Sequence, residues 1–278
     1  MRLEDWIRDA TDELALAGVD SPRLDAQVLA AHGLGRDRSW VLAHPEEMVS
    51  GDDLRGLLQR RVNREPLAYI TGVREFYGRT FYVDQDVLVP RQETEFVVER
   101  AKLWMGDGKD FEVLDVGTGS GCIGISLALE CPGTRVTLLD KSANALRVAN
   151  KNAESLGARV QFVHSDLYAA LPRRRYRVVV SNPPYVAHRD DLPPEVRDFE
   201  PETALFADAD GLAMYRRLAA ETFAATRCEV LIVEIGQGQA DGVSAIFSEY
   251  GWDLADAMTD LSRIVRTLTF CPADVATL

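Results

Sequence analysis

The sequence predicts an α/β protein in which a parallel sheet carries its reactive groups on the strand tips, preceded by an all-helical region and a hairpin. Three observations predict it. Residues 1 to about 72 show the apolar spacing of helices. An apolar strand then runs into a glycine turn and a helix at Phe111 to Gly124. Further strands alternate with helices, and one of them, Val178-Val179-Val180, stops at Asn182-Pro183-Pro184-Tyr185.

The chain of 278 residues is long enough for one large core and a smaller second one. With 46% hydrophobic and 27% charged residues, its composition is that expected of a soluble globular protein. No apolar run is long enough to span a membrane. The first residues, MRLEDWIRDATDE, lack an apolar signal core. Cys122, Cys131, Cys228 and Cys271 show no paired or metal-binding spacing, and His32, His44, His164 and His188 are equally scattered. A reducing, cytoplasmic setting and no structural metal are expected. The net charge of −13, from 31 Lys+Arg against 44 Asp+Glu, argues against a protein that wraps a nucleic-acid backbone.

In the N-terminal region, Leu3, Trp6, Ile7, Ala10, Leu14 and Ala17 fall at helical spacing, and Gly18 follows as a stop. Ser21-Pro22 reads as an N-cap with proline at the first helical position, opening a helix over Leu24 to Leu34 that ends at Gly33 and Gly35. Shorter and longer helices are expected at Ser39 to Ala43 and Asp52 to Arg64, before Pro66 interrupts the pattern. Arg60, Arg61 and Arg64 form a basic cluster, expected to be a solvated helix face rather than a contact surface.

From Phe76 to Pro90, two aromatic and β-branched stretches flank Gly78-Arg79, which predicts a hairpin linking two domains. An amphipathic helix follows over Phe96 to Trp104. Pro90 and Thr94 suit its start, and Gly106 and Gly108 its end. The strand Phe111 to Val116 then leads into GTGSGCIG, a nucleotide-binding turn. Dinucleotide enzymes and S-adenosylmethionine enzymes share this device. Its glycines admit close approach of backbone to ligand. Asp115 is placed to orient the loop or meet a cationic amino group. Cys122 has no adjacent base and reads as packing.

The next strand, Arg135 to Leu139, ends in Asp140, where an acid can accept the ribose hydroxyls of an adenosine. After a helix at Asn144 to Leu156, the strand Val160 to Val163 leads to Ser165-Asp166-Leu167. Asp166 can accept from an adenine amino group, and Leu167 can pack on the ring. Alternatively, both acids only cap the following helices.

At NPPY neither proline can donate, so the strand stops, and Asn182 is pushed into an extended conformation. Ligands of open α/β sheets bind beyond the carboxyl ends of the strands. There the Asn182 side-chain carbonyl and the Pro183 backbone carbonyl can both accept from one NH2 group and aim its lone pair at an electrophile. Tyr185 offers a flat face for a planar amide or base. NPPY read alone is also a plain strand terminator.

Together these residues resemble the HemK/PrmC family, protein-(glutamine-N5) methyltransferases acting on class I peptide-chain release factors. The resemblance covers nearly the whole chain. It rests on VPRQETE at Val89 to Glu95, DVGTGSGCIG at Asp115 to Gly124, NPPY, FEPETALFADADGL at Phe199 to Leu212 and EIGQGQ at Glu234 to Gln239. NPPY is shared with amino-group DNA methyltransferases, whereas the other segments are more specific. The resemblance implies a Rossmann-like, seven-stranded S-adenosylmethionine-dependent methyltransferase domain over residues 91–278. It implies a small all-helical N-terminal docking domain over 1–72, joined by a β-hairpin linker at 73–90. Asn182, Pro183 and Tyr185 would be catalytic. Asp115, Gly117, Thr118, Gly119, Gly121, Asp140, Lys141, Asp166, Leu167 and Asn182 would hold S-adenosylmethionine, leaving S-adenosylhomocysteine as product. Arg91, Glu95, Asn182, Pro183, Pro184 and Tyr185 would meet the substrate glutamine of a Gly-Gly-Gln loop, and Glu234 would support the site. The implied partner is a class I release factor met by a monomer, with no membrane and no direct nucleic-acid contact.

Three positions depart from that pattern. Lys141 stands where an apolar residue usually packs on adenine, and its aliphatic stem can substitute. Gln92 stands where proline is common. DLSRIVRTL, Asp260 to Leu268, lacks the glycine and the Asp-Arg pairing often found there. Competing readings are a nucleic-acid adenine-N6 methyltransferase, which needs base flipping in duplex DNA, a nucleotide-holding binding protein, and a dehydrogenase, in which NPPY would have no task. No strong general base is expected, and His188 reads as a loop residue.

Overall fold

The computed structural model describes residues 1–106, 110–172, 174–208 and 210–273. Gly108, expected to help close a helix, and Ala209 lie outside them. The chain divides into two compact units, Met1–Val73 with Leu192–Phe199, and Arg74–Asp191 with Glu200–Leu278.

The first unit contains helices α1 (Leu3–Leu16), α2 (Pro22–Gly33), α3 (Arg38–Ala43), α4 (Gly51–Val62) and α5 (Leu67–Thr71). The helical spacing buries Leu3, Trp6, Ala10 and Leu14 in its core together with Leu29, Leu54 and Leu58. Two expectations are corrected here. Ser21 makes no side-chain capping bond. The arginine cluster is not a solvated face. The Arg61 side chain is only 7% exposed, and its Nε donates to Asp25 at 2.7 Å. Arg61 and Arg64 both also pair with Glu195, from the segment that returns to this unit. A buried guanidinium needs such partners, because an unpaired buried charge costs several kcal/mol.

The second unit opens with strands β1 (Val73–Phe76) and β2 (Arg79–Tyr82), a two-stranded sheet. Its turn is Tyr77-Gly78, one residue earlier than expected, and both have positive φ (52° and 68°), as the tight hairpin turn requires. Asp84 to Pro90 form no strand. After α6 (Glu95–Met105) come β3 (Glu112–Val116), α7 (Cys122–Glu130), β4 (Arg135–Asp140), α8 (Ala143–Leu156), β5 (Val160–His164) and β6 (Val178–Ser181). Then follow β7 (Val186–Ala187), α9 (Pro194–Arg197, in the segment that belongs to the first unit), α10 (Glu202–Leu205), β8 (Phe206–Asp208), α11 (Ala213–Thr226), β9 (Val230–Glu234), α12 (Ala240–Glu249), β10 (Trp252–Thr259) and β11 (Val265–Pro272).

Seven strands form one sheet in the order β10-β11-β9-β6-β3-β4-β5. Strands β9, β6, β3, β4 and β5 are parallel, while β11 runs antiparallel to both its neighbours. Successive side chains of a strand face opposite sides. Val179, Leu231 and Val233 therefore join one apolar layer, and Val178, Val180, Val230 and Ile232 the other. Helices cover both layers, which explains why β6 is apolar without alternation. The chain leaves β3 toward β4 and β5, then returns to β6 on the other side of β3. That reversal places the tips of β3 and β6 side by side at the topological switch point, where ligands of such sheets bind.

The turn between β10 and β11 closes despite its departure from the family pattern. Arg263 takes the left-handed φ of 63°. Asp260 accepts from the backbone of Ser262 and Ile264 and from Arg266 Nε at 2.9 Å, which holds the turn without that motif.

Candidate active site

A cleft of about 1010 Å³, counting its open mouth, lies at the switch point. One side is built from the tips of β3, β4 and β5. Gly117 N and Thr118 N both donate to Leu139 O, at 2.8 and 3.0 Å, which folds the glycine turn against β4. Gly117 and Gly119 have φ of 72° and 55° and line the cleft, and a Cβ on either would meet no protein atom within 4 Å. Their bare backbone thus faces open space, as a ligand cradle requires.

Asp140 accepts from Gly119 N at 2.9 Å through Oδ2 and from Ser142 N at 2.8 Å through Oδ1. Each oxygen keeps a lone pair for a further donor. Burial raises its pKa, and those two N–H groups counter the rise. The cap of α8 is Ser142, whose hydroxyl accepts from Ala145 N, so Asp140 is not that helix's cap. Lys141, Asp166 and Leu167 also line the cleft. Asp166 Oδ1 is met by Arg217 at 2.9 Å, and Leu167 is buried with a positive φ of 44°. Apolar Leu139, Leu218 and Met214 complete walls suited to a flat ring.

Other predicted residues stand behind this wall. Asp115 is fully buried, and its Oδ2 accepts from Thr118 Oγ1 at 2.6 Å and Gly124 N at 3.0 Å. It orients the loop, and burial pushes its pKa up to about 6. Gly121 and Gly124 serve packing: a Cβ would come within 2.6 Å of Ile125 and 2.1 Å of Leu138, respectively. Cys122 does line the cleft but is 7% exposed, and burial pushes its thiol up to about 12, which excludes a thiolate nucleophile at neutral pH. Asn152, unforeseen from sequence, clasps Tyr82 N and O and also donates to Ser120 O, tying the hairpin to the glycine turn.

The other side is the tip of β6. Ser181 Oγ donates to Val116 O at 2.8 Å, which locks the tips of β3 and β6 together. Asn182, Pro183 and Pro184 line the cleft beside Arg91 and Thr94. Thr94 stands at the N-cap position of α6, as expected, but its side chain makes no capping bond. Its hydroxyl is buried and accepts from Asn182 Nδ2 at 3.2 Å. Among the described residues no donor reaches Asn182 Oδ1 or the Pro183 carbonyl. Arg91 pairs at 2.5 Å with the buried Glu200, which also accepts from Val89 N.

Tyr185 lies outside the lining, with its hydroxyl 3.4 Å from Glu234 Oε1. Burial, then the Glu234 charge, raises its pKa. Glu234 is 2% exposed, and burial pushes its carboxyl up to about 7. Three further contacts hold Tyr185. Gln239 Nε2 donates to its carbonyl at 2.9 Å, a Cβ on Gly211 (φ 73°) would come within 2.4 Å of that same oxygen, and one on Gly236 within 3.1 Å of its ring. The EPETAL, DGL and EIGQGQ segments therefore converge on Arg91 and Tyr185, a role their spacing did not reveal. Glu95 also sits apart from the cleft, where it accepts from Tyr77 N at 2.8 Å. His188 stacks on Phe206 at 4.8 Å, away from the cleft lining.

Among the described residues no cluster of His, Cys, Asp or Glu could hold a metal, and no helix is long and apolar enough to cross a membrane. Residues 5–72 match the family model of the PrmC N-terminal domain, and residues 96–199 that of the methyltransferase small domain. The release factor glutamine methyltransferase of Bordetella pertussis is 44% identical over 89% of this chain and 88% of that protein. That of Koribacter versatilis is 38% identical over 96% and 98%. In fold, the chain is similar to the hMettl16 catalytic domain in complex with MAT2A 3'UTR hairpin 6 (TM-score 0.57, covering 74% of this chain and 80% of that one). At 17% identity that similarity shows the architecture alone. The seven-stranded sheet is thus that of a Rossmann-like methyltransferase, and the chain belongs to the release factor glutamine methyltransferase family.

Proposed function

We propose that this enzyme transfers a methyl group from S-adenosylmethionine to the side-chain amide nitrogen of the Gly-Gly-Gln glutamine of class I release factors. The observation that carries the reading is the juxtaposition, across one cleft, of a bare glycine turn with an acid at the next strand tip and an asparagine whose carbonyl oxygen is unclaimed. The cofactor supplies an electrophilic methyl group on a sulfonium sulfur.

The residues fit such a group. Gly117, Thr118 and Gly119 would hold its amino-acid part along their backbone, Asp140 its ribose hydroxyls, and Asp166, Leu167 and the Lys141 stem its adenine. On the substrate side, Asn182 Oδ1 and the Pro183 carbonyl would accept the two amide hydrogens, which fixes the NH2 plane and directs its lone pair. Arg91, steadied by Glu200, and Pro184 would border the incoming peptide. Tyr185 would hold the turn that aims both acceptors. No side chain need remove a proton before attack, and the product nitrogen releases one to water afterwards. Residues 1–72 would grip the release factor away from its glutamine loop. Hydrogen-exchange protection appearing on α1 to α4 when release factor is added would support that grip.

The deciding experiment is mass spectrometry of purified release factor after incubation with enzyme and cofactor. A gain of one methyl on the Gly-Gly-Gln glutamine is expected. Methylation elsewhere, or of adenine in nucleic acid instead, would overturn the proposal.

A further inference from the structure

Behind the Asn182 turn lies a buried polar chain that runs from the cleft lining at Thr94 to Glu234. Thr94 is 2% exposed, and its single hydroxyl proton can go to only one acceptor. Two groups flank it. One is the Asn182 amide, with Nδ2 at 3.2 Å. The other is the carboxylate of Glu234, 2% exposed, whose charged form Thr94 favours as a donor. Its Oε1 is met by the Tyr185 hydroxyl at 3.4 Å, and its Oε2 is buried with no hydrogen-bond partner among the described residues, an acceptor in need of the Thr94 proton. Residues 94, 182 and 234 belong to three different elements, the turn before α6, the tip of β6 and the tip of β9.

We infer that Thr94 and Glu234 form a positioning relay that sets which end of the Asn182 amide faces the substrate. The carboxylate takes the Thr94 proton. The Thr94 oxygen is then left with lone pairs only and accepts from Asn182 Nδ2, which turns Oδ1 into the cleft. Were the hydroxyl to donate to Asn182 instead, the amide would rotate by half a turn and present its own NH2 to the substrate NH2, two donors with no acceptor. The inference rests on the amide-nitrogen reading above and deepens it: the same turn serves an NH2 substrate only while Glu234 can accept.

The charge on Glu234 is therefore the switch. Burial pushes its carboxyl up to about 7. The groups facing it are Glu93 and Thr94 before α6, Tyr185 after β6, Arg266 on β11 and Cys122 at the start of α7, with Tyr215 on its backbone carbonyl. Glu93 disfavours the charge and Arg266 favours it. Below pH 7 the neutral acid no longer demands the Thr94 proton.

The test compares wild type with Thr94→Ser, Thr94→Val and Glu234→Gln, using kcat at saturating release factor and cofactor from pH 6 to 8.5. Two readouts need no substrate: calorimetric cofactor affinity, and the NMR signals of the Asn182 side-chain NH2 in the free protein. Thr94→Ser keeps the hydroxyl and retains kcat within about threefold. Thr94→Val lowers kcat by about 10- to 100-fold with cofactor affinity unchanged, because one orienting hydrogen bond is lost. Wild-type kcat falls about tenfold per pH unit below 7, and Glu234→Gln abolishes that limb. The Asn182 NH2 signals shift through the same pH range in wild type and lose the shift in Glu234→Gln. An unchanged kcat in Thr94→Val, or an Asn182 signal that ignores both pH and Glu234→Gln, overturns the relay. A wild type that methylates no release factor overturns the reading beneath it instead, and the NMR result still stands. If Thr94→Val does not fold, Thr94→Ser and the Glu234→Gln profile decide alone.

Discussion

The two sides of the cleft are built differently. The side proposed for the cofactor is local. Its polar residues lie between Asp115 and Asp166, grouped on the tips of β3, β4 and β5, held by backbone bonds such as Gly117 N and Thr118 N to Leu139 O. The side proposed for the substrate is assembled from Arg91 and Thr94, Asn182 to Tyr185, Glu200, Gly211, and Glu234 to Gln239, joined by side chains across 109, 88 and 54 positions of sequence. Backbone bonds and main-chain conformation tolerate changes in side chains. A web of long-range side-chain bonds fails when one member leaves. The first side should therefore lose affinity gradually when altered, and the second should lose rate abruptly.

Asn182→Ala is the largest expected effect. It removes the acceptor that orients the amide, and kcat should fall by about 10³-fold while calorimetric cofactor affinity stays within about threefold. Equal losses in both would mean that the two sides are not separate. Asp140→Ala should do the converse. Two charge-assisted bonds to ligand hydroxyls would be lost, so cofactor Kd should rise about 10²-fold, with kcat largely recovered at saturating cofactor. Failure of that recovery would place Asp140 in the rate-determining geometry.

Gly236→Ala sharpens the contrast within the substrate side. An added Cβ would lie 2.8 Å from Gln239 Oε1 and 3.1 Å from the Tyr185 ring. The Gln239 clamp must give way, and we expect kcat to drop about tenfold without a change in cofactor Kd. Gly119→Ala, whose Cβ would meet no protein atom but would have to sit at a left-handed φ of 55°, should instead weaken cofactor binding, through a strained turn and a methyl in the space a ligand would occupy.

The same difference explains what the sequence disclosed. The order of strand, glycine turn, Asp140, Asp166 and NPPY follows from strand periodicity and from what stops a strand, so β3 to β6 and the first side were readable directly, whereas the full seven strands came only with the family resemblance. Thr94 looked like a helix cap because its position allows one, yet its hydroxyl turns to Asn182, 88 residues away. Gly211 and Gln239 lie in motifs that could be seen but not interpreted. Their task is clearance and a bond at the Tyr185 carbonyl, which only three-dimensional proximity defines. Arg61 read as solvated because its partner Asp25 lies 36 residues earlier on another helix, outside any helical period.

The smallest effect is on stability, and its sign separates function from folding at one residue. Glu234 has its pKa raised from an ordinary 4.5 to about 7 by burial. The folded state therefore binds this proton more tightly than the unfolded chain does. The stability it contributes is fully present below pH 4.5 and is lost as pH rises through 7. A carboxyl held that far above its ordinary range corresponds to at most about 3 kcal/mol across this window. Glu234→Gln cannot ionise and should flatten that part of the pH dependence, measured as denaturant midpoints at pH 5, 6, 7 and 8. At pH 8 the variant should be the more stable protein and the poorer enzyme, because the charge that costs stability is the one that turns the Asn182 carbonyl toward its substrate. If the variant instead loses stability at pH 8 in step with turnover, Glu234 is held ionised by Arg266, and its charge supports the fold rather than opposing it.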